Sequence, residues 1–163
     1  MGDLSITFAK ALKFLDREEG IRVESSSSIY RTEPQGDTTQ PWFHNQVSRL
    51  HCEPFITPEN LLALMLNTEK ILGRKRDPSR RFGPRAIDLD LLLFDSISRS
   101  TKDLTLPHPR MCERAFVLVP LRELSPGFCF PDGAAIHDVL AALDYSVEGD
   151  AIYQPARTYC FPC

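Results

Sequence analysis

The chain has 163 residues, 42% hydrophobic, 9% aromatic and 25% charged, which suits one ordinary domain that buries about two-thirds of its unfolded surface. No apolar run reaches the eighteen residues of a membrane span, and a net charge of -3 makes no general case for nucleic acid, so neither partner is expected. Six basic residues and one acid nevertheless lie between Gly73 and Arg85, putting +5 in thirteen residues and -8 in the remainder, which points to an anionic ligand.

Leu4, Phe8, Leu12 and Leu15 recur at helical spacing, with Asp3 to cap the start and Gly20 to end it. Ile21 to Tyr30 is short, β-branched and serine-rich and reads as a strand. Glu33 to Pro41, with two prolines and a glycine, is a loop, and Phe43 to Cys52 alternates as a second strand. Thr57-Pro58 is an N-cap followed by proline at the first helical position, and Leu61, Leu62, Met65 and Leu66 continue that helix to Ile71-Leu72-Gly73. Ile87 to Phe94 is predicted as a strand whose odd positions are apolar, which leaves Asp88 and Asp90 together on the other face. Ala115 to Leu124 and Ile136 to Leu143 read as helices, separated by a Pro131-Asp132-Gly133 turn. This order predicts an α+β domain with one antiparallel sheet over residues 1–143, followed by an irregular tail over 144–163.

The five cysteines are odd in number and scattered, and the N-terminus lacks a secretory layout, so a reducing compartment is expected: the cytoplasm, with mitochondria as the alternative. Cys160 and Cys163 have the spacing of a redox or zinc half-site. Without a second pair they carry no site.

Asp88 and Asp90 lie about 6–7 Å apart at their Cα atoms if the segment is a strand. Two such carboxylates repel each other unless a cation lies between them, and hard oxygen ligands suit magnesium. The ordinary alternative is an exposed polar strand face. Arg74, Lys75, Arg76, Arg80, Arg81 and Arg85 lie within sixteen residues of the pair, and arginine forks bind phosphate oxygens bidentately. A solvated basic loop is the usual meaning of such a run, but a basic loop feeding a magnesium-like pair describes a metal–polyphosphate site. No Walker-type G-x-x-x-x-G-K-[ST] loop is present. His108 between two prolines, with Arg110 and Arg114, extends the anionic theme, and Phe43 with Asn45 could stack on and read a flat heterocycle. Alone, the His108 segment reads equally well as a surface turn with ordinary charges, and Phe43 and Asn45 read more simply as a core aromatic and a satisfied amide.

Ser28-Ile29-Tyr30-Arg31-Thr32, Phe43-His44-Asn45, Gly73-Arg74, Arg81-Phe82-Gly83-Pro84-Arg85-Ala86-Ile87-Asp88-Leu89-Asp90 and Leu106-Pro107-His108 occur in that order. Together they closely resemble the 6-hydroxymethyl-7,8-dihydropterin pyrophosphokinase family of folate biosynthesis, over about residues 2 to 143. The resemblance implies a ferredoxin-like antiparallel sheet and transfer of the ATP diphosphate to the hydroxymethyl group of the pterin, releasing AMP. Asp88 and Asp90 match carboxylates that hold two Mg2+ ions, and Arg74 and Arg85 match arginines on the phosphates. Glu69, Arg76, Arg81, His108, Arg110 and Arg114 fall to the ATP side. Thr32, Phe43, Asn45, Phe82 and Phe116 fall to the pterin side, with Phe116 stacked on the ring.

Phe82 replaces the family's usual tryptophan and Glu33 its usual proline. The family's first strand, which ends in a Gly-Ser-Asn-like turn, has no counterpart before Met1-Gly2-Asp3, so the expectation is a ferredoxin-like sheet with its first strand missing. The partners implied are small molecules, with fusion to or association with other folate enzymes as a further expectation. Two competing readings are a non-catalytic or fragmentary nucleotide-binding domain of a multifunctional folate enzyme, and an RNA-binding ferredoxin-like module. The RNA reading wants a run of exposed strand aromatics that this sequence does not contain.

Overall fold

The N-terminal apolar spacing produces α1, Leu4–Leu15, in the computed structural model, which describes residues 4–33, 41–73 and 87–155. The chain divides into two compact units, Met1–Glu24 with Leu50–Leu91 and Ser25–Arg49 with Leu92–Cys163.

In the first unit α1 packs against α2, Pro58–Ile71. Ala11 and Leu15 of α1 and Leu61 and Met65 of α2 are buried. The cap forms as the sequence predicts: Thr57 is extended, its Oγ1 accepts the Asn60 N–H at 3.1 Å, and Pro58 follows where no N–H is needed. Gly20 has φ +82°, and the Phe55 ring fills the space a Cβ would need. The positive φ is what favours glycine there, and the exposed Phe55 ring lies against the space it leaves.

The two long strands expected from the sequence are each broken in two. They form β1 (Ile21–Ser26), β2 (Tyr30–Thr32), β3 (Phe43–Asn45) and β4 (Ser48–Cys52), with β1 beside β4 in a two-stranded sheet. Ser27 explains the break. It is buried, it exchanges its N–H and Oγ with the Val47 O and N–H, and its carbonyl accepts the Gln46 side chain at 2.8 Å. Side-chain hydrogen bonds thus replace the ladder locally.

In the second unit β2 lies inside a four-stranded sheet of order β3-β2-β8-β7, where β7 is Ser146–Glu148 and β8 is Ala151–Tyr153. β2·β3 and β7·β8 are antiparallel, whereas β2·β8 is parallel, so among the described residues the strands form separate smaller sheets, not the single antiparallel sheet expected, and this one includes a parallel pairing. A third, two-stranded sheet joins β5 (Arg99–Ser100) and β6 (Thr105–Leu106). A 3-10 turn at Met111–Glu113 leads into α3, Ala115–Leu124, and α4, Ile136–Ala141, follows. Met111, Leu118, Ile136, Leu140 and Ile152 are fully buried in the core of this unit. Glu123 at the end of α3 accepts the Ser28 N–H, the Ser28 hydroxyl and the Tyr30 hydroxyl, tying α3 to the start of β2.

The α+β class is what the sequence predicts, but two segments differ. Ser146–Tyr153, expected to be irregular, forms the β7–β8 hairpin. Gly149, at φ +61°, takes the first of two loop positions, where a tight hairpin demands positive φ. Ile87–Phe94, expected as a strand, pairs with no strand among the described residues. Two groups that a ladder would use are engaged otherwise: the Leu89 N–H donates to the Glu69 carboxylate, and the Leu92 carbonyl accepts the His108 N–H at 2.8 Å.

Candidate active site

In the first unit, exposure alternates as the sequence predicts even without a ladder: Ile87 is buried, Asp88 exposed, Leu89 half-buried and Asp90 exposed. Ile87 and Leu89 turn toward the protein, which leaves both carboxylates on the open side. The residue between them is held from beneath. Glu69, on the inner face of α2 and only 1% exposed, accepts the Leu89 N–H on Oε1 at 2.7 Å. A carboxyl group buried this deeply needs hydrogen-bond partners, and the D-x-D backbone is one of them. Among the described residues no three His, Cys, Asp or Glu side chains gather as a metal cluster.

In the second unit, β2 and β3 bring three of the sequence-predicted residues together. Thr32 lies opposite Phe43 and Tyr30 opposite Asn45. Thr32 is buried, and its Oγ1 accepts the Asn45 Nδ2–H at 2.9 Å, which fixes the amide and leaves its carbonyl side for another partner. Phe43 is 47% exposed, more than a core aromatic would be.

Further along this unit, the Leu106–Pro107 peptide is cis, and His108 follows half-buried, its Nδ1 accepting the Arg110 N–H at 3.2 Å. Arg110 is exposed and lies 3.8 Å from Glu113. The Arg114 guanidinium sits 5.5 Å from the centroid of the Phe116 ring, a cation–π contact between one residue expected on the ATP side and one expected on the pterin side.

Three residues of the β7–β8 hairpin region escape the sequence reading. Asp150 receives Arg31 Nε and Nη2, each at 2.8 Å, and the hydrogen bond from that guanidinium holds its carboxyl below the ordinary aspartate value. Arg31 also lies over the Trp42 ring at 5.6 Å, and Tyr153 meets Trp42 edge-on at 5.5 Å. Gln154 bonds the backbone on both sides of Arg114, accepting the Ala115 N–H at 2.8 Å and donating to the Glu113 carbonyl at 2.7 Å. Only the Gly149-Asp150 turn signal was available to find this hairpin, and nothing local marks Gln154.

Arg74, Arg76, Arg81, Phe82 and Arg85 lie outside the described residues. No helix among those described is long and apolar enough to cross a membrane.

A family model described as 7,8-dihydro-6-hydroxymethylpterin-pyrophosphokinase matches residues 1–126. A protein of Methylorubrum extorquens called 2-amino-4-hydroxy-6-hydroxymethyldihydropteridine pyrophosphokinase is 43% identical over 146 residues, covering 90% of this chain and 89% of its own. One of the same name from Bacillus subtilis is 40% identical over 124 residues, 76% of this chain and 72% of its own. The mitochondrial folate synthesis bifunctional protein of pea is 39% identical over 124 residues, which cover 76% of this chain and 23% of that protein.

Proposed function

The chain belongs to the 7,8-dihydro-6-hydroxymethylpterin-pyrophosphokinase family, and from that premise we propose that it transfers the diphosphate of ATP to the hydroxymethyl group of 6-hydroxymethyl-7,8-dihydropterin, releasing AMP, in folate biosynthesis. The observation that carries this reading to the residues is the exposed Asp88 and Asp90 flanking a Leu89 amide fixed by buried Glu69. Two hard carboxylates fit magnesium, which takes one or two carboxylates and fills its shell with water and phosphate oxygens. Asp88 and Asp90 would hold two such ions, which when bound supply charge neutralisation on the polyphosphate.

The remaining roles follow side-chain chemistry. Arg74 and Arg85 grip the phosphates and offset charge developing on the departing AMP, with Arg76, Arg81, Arg110, Arg114 and His108 on the nucleotide. Glu69 serves the nucleotide side by holding the D-x-D backbone. Thr32 orients Asn45, which hydrogen-bonds the pterin edge, and Phe43, Phe82 and Phe116 supply apolar faces. The transfer asks mainly for positioning, which fixed backbone and bidentate forks provide. In this reading the fold is the ferredoxin-like α+β arrangement, the catalytic domain is residues 1–143 with the β7–β8 hairpin built onto its sheet, the partners are small molecules, and the enzyme works in the cytoplasm.

The test is AMP release from ATP with and without hydroxymethyldihydropterin. Pterin-dependent AMP from the wild-type chain, lost in Asp88→Ala, is expected. AMP release no greater than that of the Asp88→Ala variant would overturn the reading.

A further inference from the structure

We propose that Gln154 is a positioning residue for the substrate site, and that the C-terminal hairpin, beyond the stretch matched by the family model, is a working part of that site. This rests on the assignment of Arg114 to ATP and Phe116 to the pterin. α3 begins without a side-chain cap of its own: Arg114 stands at the N-cap, at φ -116° and ψ 104°, and makes no capping hydrogen bond to the helix. The first N–H groups of a helix need a partner from elsewhere. Gln154 is that partner for Ala115, at 2.8 Å, and its other amide atom holds the Glu113 carbonyl at 2.7 Å. One planar amide therefore clasps the peptide groups before and after Arg114, and the Arg114 side chain leaves that clasp to lie over Phe116.

The clasp has a firm base. Gln154 directly follows β8, whose Ala151 and Ile152 are buried and which runs parallel to β2 in the register Thr32↔Ile152. Arg31 of β2 is tied to Asp150 through both its side chain and its backbone N–H. The same short hairpin thus touches the strand that carries Thr32 and the turn that carries Arg114. The chemistry singles out glutamine. A carboxylate could accept from Ala115 but would face the Glu113 carbonyl with no donor, and a thioether of the same length could do neither.

Gln154→Met and Gln154→Glu test this by kinetics, by calorimetric titration with ATP and with oxidised 6-hydroxymethylpterin, and by hydrogen exchange at the Ala115 amide. Expected are a rise of roughly 10-fold or more in the KM and Kd of both ligands, faster Ala115 exchange, and kcat at saturation changed by about threefold or less. A purely structural role would lower Tm and leave both Kd values, measured well below Tm, unchanged. That outcome, with the wild type binding both ligands, overturns the inference alone. If the wild type binds neither ligand, the site reading fails and the inference falls with it. Should Gln154→Met not fold, Gln154→Glu decides by the same criteria.

Discussion

Arg31 and Asp150 face each other as a fork, Nε to Oδ2 and Nη2 to Oδ1 both at 2.8 Å, across the junction of β2 with the C-terminal hairpin. The hydrogen bonds from Arg31 hold the Asp150 carboxyl below its ordinary value of 3.8, so its contribution is present above that value and is lost as pH falls through the lowered folded-state value. Arg31 stays charged throughout that window. Trp42 is the only tryptophan and contacts both Arg31 and Tyr153, which makes it a natural reporter. Acidification to below the usual aspartate range is expected to shift Trp42 emission before global unfolding, and Asp150→Asn to abolish that early step. An emission curve with a single transition in both proteins would contradict this.

Gly20 and Phe55 make a second pair with a measurable consequence. Gly20→Ala meets both a positive φ and the Phe55 ring, which is 63% exposed and can swing aside, and is expected to destabilise the protein by about 1–2 kcal/mol, mostly through the backbone. Adding Phe55→Ala should recover the steric part and leave roughly 1 kcal/mol from the backbone. Urea unfolding of the double-mutant cycle separates the two.

Glu69 is expected to act through Leu89. Glu69→Gln keeps an Oε1 acceptor at the same place and should retain activity within a few-fold. Glu69→Ala leaves the amide without its acceptor and should lower kcat by about 10- to 100-fold while raising the Mg2+ concentration needed for half-maximal rate. Equal rates in the alanine and glutamine variants would remove this role.

Thr32→Val keeps shape and removes the oxygen that fixes Asn45. The pterin KM is expected to rise about 10-fold with little change in the ATP KM, as befits the loss of one buried hydrogen-bond partner. A matching rise in the ATP KM would show instead that the sheet itself had been disturbed.

The sequence and the structure agree best where the signal is local. Thr57-Pro58 announces α2 because a cap and a proline act within one turn, and the alternation at Ile87-Asp88-Leu89-Asp90 survives because facing is set residue by residue. Pairing is different, since whether Ile87–Phe94 joins a ladder depends on what lies beside it. Ser27 splits both expected strands through bonds to Gln46 and Val47, twenty residues away. The β7–β8 hairpin has three-residue strands, too short for a periodic pattern to stand out; its contact with Arg31 spans 119 residues of chain, and the Gln154 bonds to Ala115 and Glu113 span 39 and 41. The candidate site residues stand out in the sequence by chemical type, whereas the contacts that hold Asn45, Leu89 and Arg114 in place do not.

The hydrogen bond from Leu89 to Glu69 turns α2 into a ruler. Twelve residues separate the Thr57 cap from Glu69, about 18 Å of helix at 1.5 Å per residue. Inserting or deleting a single residue between them would rotate Glu69 by about 100° around the helix axis and carry its carboxylate away from the D-x-D backbone. The length of this helix is therefore fixed by the chemistry at its far end, and changes in length belong in loops such as the turn after Phe94.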